Sequence, residues 1–175
     1  SNSPYTCVWI DLNKGPVVLE IPPKVLGIIN DSWSLYVADL GMVGQDKGEG
    51  GKYLILPPGY DGIVPSGYFI VHSSTFEDLV FYRHFAVNGE LRPAIEILKK
   101  TARAYLLSRS GNPPANNFVN VSGKDFRAIA PSGQKFWEYL NEVVQAEPST
   151  SLDRVSLGYF ASLGIEKGKA FAPDE

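Results

Sequence analysis

Tyr5-Thr6-Cys7-Val8-Trp9-Ile10-Asp11-Leu12, followed by Val17-Val18-Leu19-Glu20-Ile21 and closed by Pro22-Pro23, decides the fold class. Both runs are short, rich in aromatic and β-branched residues, and bounded by Gly or Pro. This is the pattern of strands, since a globular helix needs a longer run at 3.6-residue spacing. Residues 25–30, 33–40, 52–56, 68–72 and 79–87 repeat the pattern. Between residues 52–56 and 68–72 lie Pro57-Pro58-Gly59-Tyr60-Asp61-Gly62 and Pro65-Ser66-Gly67, whose turn chemistry predicts a hairpin. Residues 41–51 are polar and rich in Gly and read as a plain exposed loop.

The second half changes period. Leu91, Ile95, Leu98, Ala102 and Tyr105 fall at helical spacing, with Pro93 suited to a first turn. Residues 118–121 read as a short strand. Phe136, Leu140, Val143 and Val144 form a second apolar stripe, ended before Pro148. Leu152, Val155, Tyr159 and Leu163 form a third, with Gly164 as its C′ residue. Strands first and helices after predict an α+β, mainly β layered arrangement. The expected division is a β-rich domain over residues 1–110, ending in a helix, and a helical connector over residues 111–175.

Composition narrows the function classes. The chain has 175 residues and a net charge of −3, and its Lys and Arg form no stripe, so nucleic acid is not an expected partner. No apolar run approaches the roughly 18 residues of a membrane-spanning helix. Cys7 is the lone cysteine, so no internal disulfide forms; it reads as a small core residue. The G-x-S-x-G, H-E-x-x-H and phosphate-loop motifs are absent from the sequence, and no cofactor is expected. The chain opens on Ser1-Asn2-Ser3-Pro4 without a leading Met and ends on Phe171-Ala172-Pro173-Asp174-Glu175, and both ends read as cuts in a longer chain. Oligomeric state is open at this point.

The candidate chemistry centres on Arg83. In Leu79-Val80-Phe81-Tyr82-Arg83-His84-Phe85, alternation puts Leu79, Phe81, Arg83 and Phe85 on one strand face. An arginine in such a row is costly to bury unless it is paired. Asp31, which shares a face with Gly27, Ile29 and Trp33, is the expected partner. Two readings follow, with plain exposure of Arg83 as the remainder. Arg83 and Asp31 form an ion pair that fixes packing. Or Arg83 anchors a carboxylate- or anion-binding pocket walled by Tyr5 and Trp33, because its planar fork pairs with carboxylates through two hydrogen bonds. His72 and His84 each sit among alternating apolar neighbours. They read as hydrogen-bonded or surface histidines, with a joint metal site as the lesser alternative. Asn30-Asp31-Ser32 and Asn120-Val121-Ser122 match the glycosylation sequon and are assigned no role.

The chain resembles the domain of unknown function 1254 family. The resemblance rests on Tyr5 to Leu12 with Gly15-Pro16-Val17-Val18-Leu19, on Asp31-Ser32-Trp33, and on Gly51-Lys52-Tyr53-Leu54-Ile55. It continues through Pro58-Gly59-Tyr60, Val64-Pro65-Ser66-Gly67-Tyr68 and Arg83. It covers residues 1–110 well, and residues 118–175 resemble the helical connector of relatives. The resemblance implies a jelly-roll-like antiparallel β-sandwich, followed in relatives by a second β domain (domain of unknown function 1214), which would be a partner within the same chain. Relatives often carry an export signal, which implies a periplasmic or secreted parent. Where the family has Asp three residues and Thr two residues before the tyrosine, this chain has Asn2 and Ser3. Asn2 joins the candidate pocket as a hydrogen-bonding rather than a carboxylate group. The function these features suggest is a small-molecule-binding β-sandwich module, part of a two-domain enzyme. The alternative is a structural or interaction module of a cell-envelope protein, without catalysis.

Overall fold

The computed structural model describes residues 3–125, 129–152 and 154–172. Among the described residues, eight strands form two four-stranded sheets. The first sheet is ordered β1-β7-β3-β4, from Tyr5–Asp11, Glu77–His84, Val25–Asp31 and Tyr36–Gly41. The second is ordered β6-β5-β2-β8, from Phe69–His72, Gly51–Leu56, Val17–Ile21 and Arg103–Leu106. The chain divides into two compact units, Ser1–Asn117 and Phe118–Glu175.

The core of the first unit follows from strand alternation. Val8, Ile10, Val25, Ile29, Leu40, Val80 and Tyr82 point inward from the first sheet. Val17, Leu19, Ile21, Tyr53, Ile55 and Val71 meet them from the second. Each such aliphatic side chain contributes about 1.5–3 kcal/mol by leaving water, so this shared layer holds the sandwich together. Helix α1 (Arg92–Thr101) adds Leu98 to the same core. A smaller cluster of Val18, Leu54, Leu56 and Tyr105 lies on the other face of the second sheet, under Tyr60 and Tyr68. Gly27 on β3 meets β7 closely: a Cβ there would strike Tyr82 Cβ and lie 2.7 Å from the Phe81 carbonyl oxygen.

Several local expectations are corrected. Strands β5 and β6 run parallel, so residues 52–56 and 68–72 are not hairpin arms. The twelve residues between them make successive turns, which restore the chain direction, and a connection of about that length is what parallel neighbours need. Helix α1 stops at Thr101, and Tyr105 lies on the edge strand β8, where it pairs with Val18. Ala102 is already extended, with ψ 132°, so the helical spacing of Ala102 and Tyr105 was coincidental. Residues 118–121 are irregular rather than a strand. The Asn116 side chain donates to the Ala102 carbonyl at 2.9 Å and accepts from Ala104 N at 3.3 Å.

Residues 41–51 are no plain exposed loop. They fold around Asp46, which is 4% exposed. Gly41 N and Gly50 N donate to its carboxylate at 2.8 and 3.0 Å, and the Tyr53 hydroxyl donates to it as well. Burial first, and the hydrogen bond to Asp46 second, push the Tyr53 hydroxyl pKa far up, so it stays a donor.

In the second unit, α2 (Gln134–Ala146) and α3 (Arg154–Ser162) form where the apolar stripes place them. Gly164 has φ +76°, and Ile165 N bonds Phe160 O while Gly164 N bonds Ala161 O. This is the Schellman closure expected of a C′ glycine. Gln145 ties the C-terminal segment to α2, accepting from Gly168 N at 2.8 Å and donating to Glu166 O at 2.9 Å. No helix among the described residues is long and apolar enough to cross a membrane.

Candidate functional site

The sequence-predicted residues separate into two places. Asp31 is 3% exposed at the turn end of β3, on the inner side. One carboxylate oxygen accepts from Trp33 N and Leu35 N, both at 2.9 Å. The other accepts from the Ser74 hydroxyl at 2.6 Å. This carboxylate holds the turn between β3 and β4, with Trp33 inside that turn. Asp78 is its direct neighbour across β7 and accepts from the Ser73 hydroxyl at 2.6 Å.

Arg83 stands elsewhere. It pairs with Leu26 on β3 and with Tyr5 on β1, five register positions from Asp31 and on the outer face. The expected Arg83–Asp31 ion pair therefore does not form. Side-chain period two puts the odd residues of β3 inward and the odd residues of β7 outward at this register. Asn2 lies outside the described residues. Clefts open beside Tyr60 and Leu107 and beside Arg109 and Asn112, and neither is lined by Tyr5, Asp31, Trp33 or Arg83.

What the structure brings together is an open aromatic face. Across β1, β7 and β3 run the rows Tyr5–Arg83–Leu26, Cys7–Phe81–Ile28 and Trp9–Leu79–Asn30. Tyr5 and Phe81 stack with ring centroids 4.9 Å apart at 16°. Trp9 is 61% exposed and Tyr5 54%. The Arg83 guanidinium sits over the Phe85 ring, 4.8 Å from its centroid. Its Nε is buried and has no hydrogen-bond partner among the described residues; Asn30 Oδ1 is in the same condition on this face. A buried donor without a partner costs about 1–3 kcal/mol, and a ligand acceptor would remove that cost.

Leu79, Phe81 and Arg83 share the face that alternation predicted. Trp9 and Cys7 were missed. Cys7 is exposed, not a core residue, because Tyr5, Cys7, Trp9 and Asp11 form the outward set of β1. Asp11 was the available signal: a charged residue in register with Cys7 and Trp9 marks their side as the solvent side.

The histidines do not meet as a pair. His72 is exposed on β6, whereas His84 is 3% exposed on β7 in the other sheet. His84 Nε2 lies 2.9 Å from the Thr6 hydroxyl, and its ring meets Tyr82 edge-on. No cluster of three or more metal-ligating side chains occurs among the described residues.

Comparison with known proteins accounts for the fold. The VPA0106 protein of Vibrio parahaemolyticus superposes with a TM-score of 0.70 at 17% identity, over 97% of this chain. The chain spans 43% of that structure's length. At this identity the likeness concerns the fold alone. No curated protein matches the chain. The model of the family described as "Protein of unknown function (DUF1254)" matches residues 1–106, and the chain belongs to that family.

Proposed function

We propose that the outer face of the first sheet binds a small carboxylate with a flat apolar body, as a recognition module of a larger protein. The observation that carries this reading is Arg83. Its Nε is buried and has no partner among the described residues, its guanidinium is backed by Phe85, and it adjoins the stacked Tyr5–Phe81 pair. A carboxylate accepts from the guanidinium fork in a planar, two-bond geometry that Lys cannot reproduce. The aromatic rings give the apolar body a surface to lie on. Tyr5 and Arg83 thus remain from the sequence-derived site, with Phe81 and Phe85 in place of Trp33. Within a two-domain parent exported from the cytoplasm, this face supplies recognition, and the second β domain completes the site.

Isothermal titration with benzoate tests the reading. The wild-type chain should bind it. Arg83→Lys should bind at least about tenfold more weakly, the value of one charge-assisted hydrogen bond. Equal binding by wild type, Arg83→Lys and Arg83→Ala would remove the anchor of the proposal.

A further inference from the structure

Strand β1 is an outer strand of its sheet. His84 N donates to Pro4 O at 2.9 Å and Leu12 N to Phe76 O at 2.7 Å, so the even-numbered residues of β1 are the ones bonded to β7. Tyr5, Cys7, Trp9 and Asp11 consequently direct their N–H and C=O groups to the open side. The other edges are treated differently. Asn116 occupies backbone groups at β8, and Gln45 donates to Ile70 O of β6 at 3.4 Å. The pairing that holds β4 is broken by a register shift at Ile29/Asn30. From Tyr5 to Asp11, β1 carries no Pro, Lys, Arg or bulge, and its one charged residue, Asp11, stands at the strand's end rather than in its middle.

The charges on the outer face are also arranged asymmetrically. At one end Asp11 and Glu77, both exposed, stand directly opposite each other. Hydrogen bonds from Asn13 backbone and side chain hold the Asp11 pKa below the usual carboxylate range, so Asp11 is ionised. Like charges directly opposite are destabilising. At the other end is Arg83.

We propose that a second copy of this chain adds to the open edge, β1 against β1 in antiparallel register, about a two-fold axis at Val8. This register pairs Tyr5 with Asp11 and Cys7 with Trp9 of the other copy, twice over, and engages the whole outward set. It places each acidic end two strand spacings, roughly 10 Å, from the other copy's Arg83, close enough for attraction at low salt. The aromatic faces join across an eight-stranded sheet. An isologous contact of this kind closes on itself and does not propagate.

Sedimentation of the 175-residue chain over a concentration series tests the proposal. A species of twice the 19.2 kDa monomer mass is expected, and it should weaken as salt rises. Trp9→Lys, which adds a charge to the edge, should raise the dissociation constant by about tenfold or more. Cys7→Pro, which removes an outward N–H and leaves the β7 ladder intact, should do the same. Circular dichroism confirms that each variant is folded. Register is read by oxidation of Trp9→Cys, which brings the new thiol opposite Cys7 of the other copy and should give a covalent dimer. In the wild type the two Cys7 side chains are diagonal, roughly 7–8 Å apart, and should not cross-link. A chain that stays monomeric at every concentration overturns the proposal. So do folded edge variants that dimerise as well as wild type, or cross-linking that occurs through Cys7 alone.

Discussion

Asp31 and Arg83 occupy opposite faces of one sheet, five register positions apart along β3 and β7. At about 3.4 Å per residue, their backbones are roughly 17 Å apart. Asp31 is saturated by two backbone N–H groups and a serine hydroxyl, while Arg83 lies over Phe85 with an Nε that has no partner among the described residues. Their contributions to stability should therefore be independent. Asp31→Ala is expected to cost about 3 kcal/mol, because it deletes charge-assisted hydrogen bonds and leaves two turn donors unsatisfied. Arg83→Ala is expected to cost under about 1 kcal/mol. The double variant in denaturant unfolding should equal the sum within about 0.5 kcal/mol. A larger coupling would mean that the two side chains interact.

The buried Asp46 makes the stability of residues 41–51 depend on one hydroxyl. Tyr53→Phe keeps the ring in the core but removes the donor to the carboxylate. A loss of about 2 kcal/mol is expected, the value of a hydrogen bond to a charged group. Asp46→Ala should cost more, since Gly41 N and Gly50 N lose their acceptor too. Urea unfolding of both variants gives the comparison.

His84 should give the fold a pH dependence above the range where carboxylates titrate. Burial lowers its pKa from the ordinary 6.5. The unfolded chain then binds the proton more readily than the folded one. Stability from this residue is complete above about pH 6.5 and falls as pH drops from there toward the depressed folded value. The slope cannot exceed about 1.4 kcal/mol per pH unit for one proton. Thermal unfolding between pH 7.5 and 5 should show the decline, and His84→Gln should flatten it. An unchanged profile in His84→Gln would assign the decline to other groups.

Much of the sandwich is legible in the sequence because strand alternation and Gly/Pro punctuation are local signals. The outer-face row of Leu79, Phe81 and Arg83 follows from period two alone. The helix stop at Gly164 is equally local, because a C′ residue needs only a positive φ. The Asp31–Arg83 pairing was not legible, because register between β3 and β7 is set by long-range packing. A shift of one residue moves every side chain to the other face. Strand β8 was hidden for a related reason. Tyr105 lies where helical and extended spacings coincide, and only its partner Val18, far away in sequence, decides between them. Asp46 was hidden among glycines, since nothing local shows that a Tyr53 hydroxyl waits in the core for its carboxylate.

Arg83 offers, on an aromatic face, a donor that has no partner among the described residues. The most direct measurement is the ¹⁵N-resolved resonance of Arg83 Nε–H during a benzoate titration. A saturable downfield shift of that resonance is expected, together with ring-current shifts at Tyr5 and Phe81. An Arg83 resonance that stays fixed while other parts of the chain respond, or while nothing does, would contradict it.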